Sequence, residues 1–358
     1  MSDQLSPLVK KTSRWAFRSQ PDGKALGPIT AQQPRPWTKY LRAMVSLGLL
    51  GWLAWRTDWG RLISAFANLR VEFWVASVAL YFATQVVSGL RWQLLARPLG
   101  FGGSVWRYTS LYFIGMFFNL MLPTSVGGDV VRAWQLDSRP GRRLPAMFSV
   151  LVDRASGLIV LILIACVAVL FSPRSLPRWT VWCVWGSAAA AFAGLLLMAV
   201  LAKWVSRFAR LKMLVDSTRI YLRYPGLIVG TSLLSVAVQG ANVILVWLLG
   251  LALDAPVPGF YFWILVPMVS LITLLPISLN GMGIREGSTV LFLAPFGVSE
   301  GTAVCLAILW FSVYTAVSLG GACLYLAGWY PRAEGEDDYG PLRCDPSQGR
   351  TRQSRNAA

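Results

Sequence analysis

The chain has 358 residues, 55% of them hydrophobic and only 14% charged, with 33 Lys and Arg against 16 Asp and Glu. Soluble domains are about a quarter charged, so an ordinary soluble domain is excluded. Histidine is absent altogether, which removes the commonest acid–base catalyst and the commonest metal ligand. No metal, no cofactor and no enzymatic activity is therefore expected, and no nucleic-acid partner.

Residues 1–38 are polar and basic, with Trp15, Phe17 and Trp37 set among Lys10, Lys11, Arg14, Arg18, Lys24 and Arg35. This tail reads as cytoplasmic and disordered. Its charge either adheres to anionic headgroups or simply obeys the positive-inside rule. The first apolar run starts only near Ala43, so no signal peptide is expected.

A membrane region follows over 39–328. A span at 39–56 leads through an amphipathic connector (57–70) to a second at 71–90. Arg91-Trp92 at its end reads as an interfacial anchor. Tyr108–Leu122 is too short to cross: as a helix its fifteen residues reach about 22 Å, against a hydrocarbon core of about 30 Å. It stops at Pro123 and runs into Gly127, Gly128 and Asp129. A span at 146–171 closes the first half (39–171). The second half (181–328) repeats the order: span 181–202, connector 203–225, span 226–252, short segment Phe260–Leu275 broken at Pro276, span 302–328. Four of the five cysteines (Cys166, Cys183, Cys305, Cys323) lie in apolar runs without metal or redox spacing and read as small hydrophobes; Cys344 lies in the tail. Residues 329–358 form a second tail, read as disordered and cytoplasmic.

The two breaks match each other. Leu122-Pro-Thr-Ser-Val-Gly-Gly-Asp-Val-Val-Arg132 aligns with Leu275-Pro-Ile-Ser-Leu-Asn-Gly-Met-Gly-Ile-Arg285, with Leu, Pro, Ser, Gly and Arg in the same places. Such self-similarity marks an internal repeat. Each half carries an odd number of crossings, so the second enters from the opposite side, the parity of an inverted repeat. Charge favours re-entrant hairpins over crossings at the breaks. With hairpins, only Arg56, Arg61, Arg70, Arg174 and Arg178 lie outside, and Arg154 and Arg285 within membrane segments. The expected fold is an all-α polytopic bundle of six crossings and two opposed hairpins, with both termini cytoplasmic.

Broken backbone at membrane depth is tolerated only where it is buried in protein or lines a cavity, so the hairpins are the candidate site. Arg132 and Arg285 are suited to phosphate because a guanidinium binds it in a bidentate way. Ser125 and Ser278 offer hydroxyls. The turns Gly127, Gly128 and Gly281, Gly283 offer backbone amides at helix starts. Asp129 and Glu286 are read as partners of the arginines when no ligand is present. The bland alternative is a structural turn with a snorkelling arginine. Asp153 and Arg154, inside a long apolar run, are either an ion pair at a helix entrance or members of the same cavity. Asn119, Gln85, Gln239 and Asn242 read as interhelical hydrogen-bond formers.

These residues carry a resemblance. Phe117 to Arg132, Val152-Asp-Arg-Ala-Ser-Gly157 and Pro276 to Glu286 resemble the flippase-like family, also called the lysylphosphatidylglycerol synthase transmembrane-domain family, over about residues 40–328. The resemblance implies a bacterial inner-membrane protein that moves or handles lipids with polar headgroups, such as aminoacylated phospholipids or polyprenyl-phosphate-linked lipids. The two-part synthases carry a large soluble domain after the membrane region. Here only residues 329–358 follow, so synthase activity is not expected. A lipid translocase is the leading reading. The alternative is a non-transporting membrane partner of a lipid-linked glycosyltransferase or lipid-modifying enzyme.

Overall fold

The computed structural model describes Gly60, 69–122, 127–137, 142–172, 176–205, Tyr221, 224–275, Ser278 and 280–328. The tails, the 39–56 span, most of both connectors, Ser125 and Pro276 lie outside the described residues. Among those described the chain is a helical bundle with five helices long and apolar enough to cross a membrane.

The helices are α1 (Val71–Ala96), α2 (Val105–Met121), α3 (Gly127–Leu136), α4 (Arg143–Leu170), α5 (Arg178–Val205), α6 (Pro225–Ala252), α7 (Phe262–Leu274), α8 (Ile284–Leu293) and α9 (Glu300–Leu326). Their ends follow local chemistry. Ser104 and Ser299 cap α2 and α9, their hydroxyls accepting from the Arg107 and Thr302 amides at 3.2 and 3.1 Å. Leu122 and Leu275 turn extended at ψ 140° and 129°, as a residue before proline must, and both short helices stop there. Pro267 sits inside α7, where it removes one helical hydrogen bond.

Among the described residues the long spans fall where hydropathy placed them, and each break separates two short helices, α2 from α3 and α7 from α8. The halves also pack reciprocally. α1 lies along its counterpart α6; α2 packs on α9 as α7 packs on α4; α1 meets α9 as α6 meets α4. α1 and α6 run antiparallel: the Arg70 amide donates to the Ala252 carbonyl, Ser77 Oγ to the Leu245 carbonyl and Arg91 to Ser235 Oγ. The two breaks meet, with Asn280 Nδ2 donating to the Leu120 carbonyl at 3.3 Å.

Two glycines set the closeness of this packing. A Cβ on Gly128 would overlap the Gly115 carbonyl, and one on Gly321 would overlap the Phe113 carbonyl. Backbone therefore touches backbone between α2 and α3 and between α2 and α9, the small-residue packing that membrane helices use where no hydrophobic effect drives association. One apolar core, around Leu245, Leu249, Phe262, Leu265, Phe292 and Leu306, joins α6, α7, α8 and α9. A second, around Trp92, Tyr108, Leu111, Leu136 and Val150, holds the first hairpin. α5 is peripheral: 11% of its apolar window is buried, against 50% for α9.

Candidate functional site

The first hairpin is built round an ionic core. Asp153, fully buried on α4, receives Arg91 Nε of α1 at 2.9 Å and Arg132 Nη2 of α3 at 3.4 Å. Arg91 also donates to Ser235 Oγ of α6 at 2.9 Å, so a single cation ties three long helices. Arg91 was expected at the interface with Trp92. It is instead only 4% exposed and Trp92 is 0% exposed, because Asp153 supplies the counter-charge that lets a cation leave water. Trp92 packs edge-on to Tyr108 and donates to Ser149 Oγ.

Arg132 is held on every side. Its guanidinium lies 4.9 Å from the centre of Trp92 and 4.6 Å from that of Tyr112. Its Nε faces Asp129 Oδ1 at 3.2 Å, an ion pair without hydrogen-bond geometry. Asp129 is shared: Arg154 Nε reaches its Oδ2 at 2.8 Å and Arg154 Nη2 its Oδ1 at 3.1 Å. The Arg154 side chain is 43% accessible, the exposed cation of this group beside the buried Arg91 and Arg132.

The second hairpin is organised differently. Its turn uses left-handed backbone at Asn280 (φ 50°), Gly281 (φ 76°) and Gly283 (φ 81°). Glu286 does not hold Arg285 by a hydrogen bond; its Oε2 accepts the Gly283 amide at 2.6 Å, capping α8. Arg285 donates to the Asn280 carbonyl at 3.2 Å and lies 4.8 Å from the centre of Phe311. Its Nη1 is without a hydrogen-bond partner among the described residues, as is the buried Ser278 Oγ.

The helix starts are likewise already occupied. Asn119 Oδ1 accepts the Gly128 amide at 2.8 Å, the counterpart of Glu286 on Gly283. The Gly128 and Gly283 amides expected to cradle an anion are thus satisfied within the chain. Tyr81 of α1 and Tyr314 of α9 have ring centres 6.3 Å apart, and Phe311, over which Arg285 lies, stacks 6.1 Å from Tyr314. Arg285 thus sits beside an aromatic cluster contributed by α1 and α9.

Of the sequence-derived set, the structure places Gly127, Gly128, Asp129, Arg132, Asp153 and Arg154 at the first break and Ser278, Gly281, Gly283, Arg285 and Glu286 at the second, the two breaks meeting through Asn280 and Leu120. Gln239 bonds across helices to the Gly157 carbonyl, whereas Gln85 and Asn242 bond within their own helices. Arg91, Tyr81 and Tyr314 were missed as site residues: each sits in an apolar run with no local motif, and only packing brings them in. No group of His, Cys, Asp or Glu that would suit a metal occurs among the described residues.

An all-helical membrane bundle with arginines and carboxylates gathered at two broken helix pairs is the class of protein these features define. Residues 40–321 match the family described as Lysylphosphatidylglycerol synthase TM region, and the chain belongs to that family. No curated protein and no solved structure matches the chain.

Proposed function

We infer that the chain is a lipid translocase of the bacterial inner membrane, with both termini cytoplasmic. It carries a phosphate-bearing lipid, such as an (aminoacylated) phospholipid or a polyprenyl-phosphate-linked lipid. The observation that carries this reading is the group of arginines, with Arg154 accessible, where two broken helix pairs meet. A site at such a repeat interface, built from broken helices, is the arrangement that lets two halves rock about a fixed ligand. The headgroup phosphate lies against these arginines while the hydrocarbon chains stay in the bilayer. No residue is assigned a catalytic role; the work is electrostatic recognition, which arginine performs in a site shielded from bulk water.

The test is transport by purified protein in liposomes carrying a fluorescent phosphatidylglycerol, read by quenching of the outer leaflet. Transport above empty liposomes, reduced in Arg285→Ala, is expected. Equal quenching with and without protein across a panel of phosphate-bearing lipids overturns the reading and leaves the non-transporting partner.

A further inference from the structure

Away from the breaks, the apolar surface of the bundle carries a recess. A groove of about 800 Å³ runs between α4 of the first half and α6 and α7 of the second. α4 lines it from Val152 to Phe171 in steps of three and four residues, through Ser156, Ile159, Leu163 and Val167, which is one face of a helix. α6 contributes Thr231 and Val236, and α7 contributes Trp263. Val160 and Thr231 at its floor are buried, whereas Leu163 and Val167 are more than half exposed. No charged side chain lines it among the described residues. Three of its hydroxyls are already turned to backbone: Ser156 Oγ donates to the Asp153 carbonyl at 2.8 Å, Thr231 Oγ1 to the Leu227 carbonyl at 2.9 Å and the Tyr221 hydroxyl to the Leu95 carbonyl at 2.6 Å. Such a surface offers an occupant dispersion contacts and asks no hydrogen bond of it.

We propose that this groove is a docking site for one hydrocarbon chain of a membrane lipid, separate from the arginines at the breaks. Length and width select the occupant. From Val152 to Phe171 α4 rises about 28 Å, close to the roughly 30 Å of the hydrocarbon core. The groove therefore lies at the depth of the lipid chains, where no soluble partner reaches. Spread along that length, its volume gives a mean section of about 30 Å². A helix about 10 Å across needs about 80 Å². An extended chain enters such a groove, and the helix of a second copy does not. Arg154 stands two residues from both Val152 and Ser156, which at about 3.6 residues per turn places it across α4 from the groove. Its partner Asp129 belongs to α3, which does not line the groove. The docked chain thus belongs to a lipid other than one held at Arg154, wedged between the two halves. The inference does not depend on the translocase reading.

The experiment separates a docked chain from ordinary surrounding lipid. Full-length protein is reconstituted in phosphatidylglycerol liposomes doped with the same lipid carrying a diazirine at the end of one acyl chain. After illumination the labelled peptides are mapped by mass spectrometry. Surrounding lipid labels by exposure alone, and α5, with 11% of its apolar window buried against 44% for α4, would then carry the most label. A docked chain reverses that order: α4 peptides from Ser156 to Val167 are expected to label several-fold above α5. Ala168→Trp fills the groove and is expected to bring α4 down to the level of α5. Leu233→Trp, on a face of α6 that is 64% exposed and outside the groove, is expected to leave the pattern unchanged. Should Ala168→Trp not fold, Ser232→Trp, at a second groove position, decides by the same readout. Labelling heaviest on α5 in the wild type overturns the proposal, as does α4 labelling that survives the filling variant or is lost equally in Leu233→Trp. An unlabelled groove in a protein that is dimeric by light scattering assigns the groove to a second copy and overturns it too.

Discussion

The two hairpins share a motif and a position in their halves, yet their arginines live in opposite surroundings. Arg132 is buried, sandwiched by Trp92 and Tyr112 and paired with two aspartates. Arg285 is half-buried, touches one carbonyl and one phenyl ring, and keeps a donor free among the described residues. The difference comes from neighbours, not from the motif. Met282 stands where the first copy has Asp129, and α9 carries no acidic residue after Glu300 to serve as a second Asp153. The arginine at the matched position is thus a buried anchor in one hairpin, whereas in the other the neighbouring Glu286 carboxylate caps α8 instead of bonding it. Burial with two aspartates fixes the first; the second is held by no carboxylate hydrogen bond.

Variants sharpen this contrast, and the largest effect is expected at Asp153. Asp153→Ala leaves Arg91 and Arg132 without their shared anion in a buried setting. Loss of about 3–5 kcal/mol is expected, seen as a collapse of the detergent melting transition. Retention of wild-type stability would mean that water already reaches Arg91. Gly128→Ala comes next: a methyl group there meets the Gly115 carbonyl, and overpacking of about 1–3 kcal/mol should lower the melting temperature and open the first hairpin to hydrogen exchange. In the second hairpin Gly283→Ala places a side chain at φ 81°, which costs about 1–2 kcal/mol. Its exchange is expected to rise in α8 and not in α3; a rise in both would show that the tips, joined by Asn280 and Leu120, move as one.

Much of this was legible in the sequence because hydropathy and proline report on local backbone. Span lengths, both breaks and the repeat of Leu-Pro-x-Ser with a following Arg needed no tertiary information. The charge pairing was not legible. Asp153 was found, but its principal partner Arg91 lies 62 residues away on another helix and read as an interfacial anchor. Likewise the turn glycines read as an anion cradle, since nothing local says that Asn119, nine residues before Gly128, reaches back to that amide. Glu286 illustrates the same limit at closer range: adjacency to Arg285 pointed to an ion pair, whereas its position three residues into α8 makes the Gly283 amide the nearer donor.

The smallest expected effect on stability is at Arg285. Arg285→Ala removes one hydrogen bond to a carbonyl and a contact with Phe311, and a hydrogen bond is worth about 0.5–1.5 kcal/mol net. It also removes a cation whose desolvation no carboxylate hydrogen bond offsets. The two changes oppose each other, so the melting temperature is expected to move by only a few degrees for a loss or gain of about 1 kcal/mol. Transport in liposomes should nevertheless fall well below wild type, whereas Arg132→Ala should lose stability and transport together. A variant pair in which Arg285→Ala unfolds the protein and Arg132→Ala merely slows it would reverse the assignment of anchor and ligand between the hairpins. The contrast is therefore a matter of which arginine uncouples stability from transport, and the one that no carboxylate holds by a hydrogen bond is expected to do so.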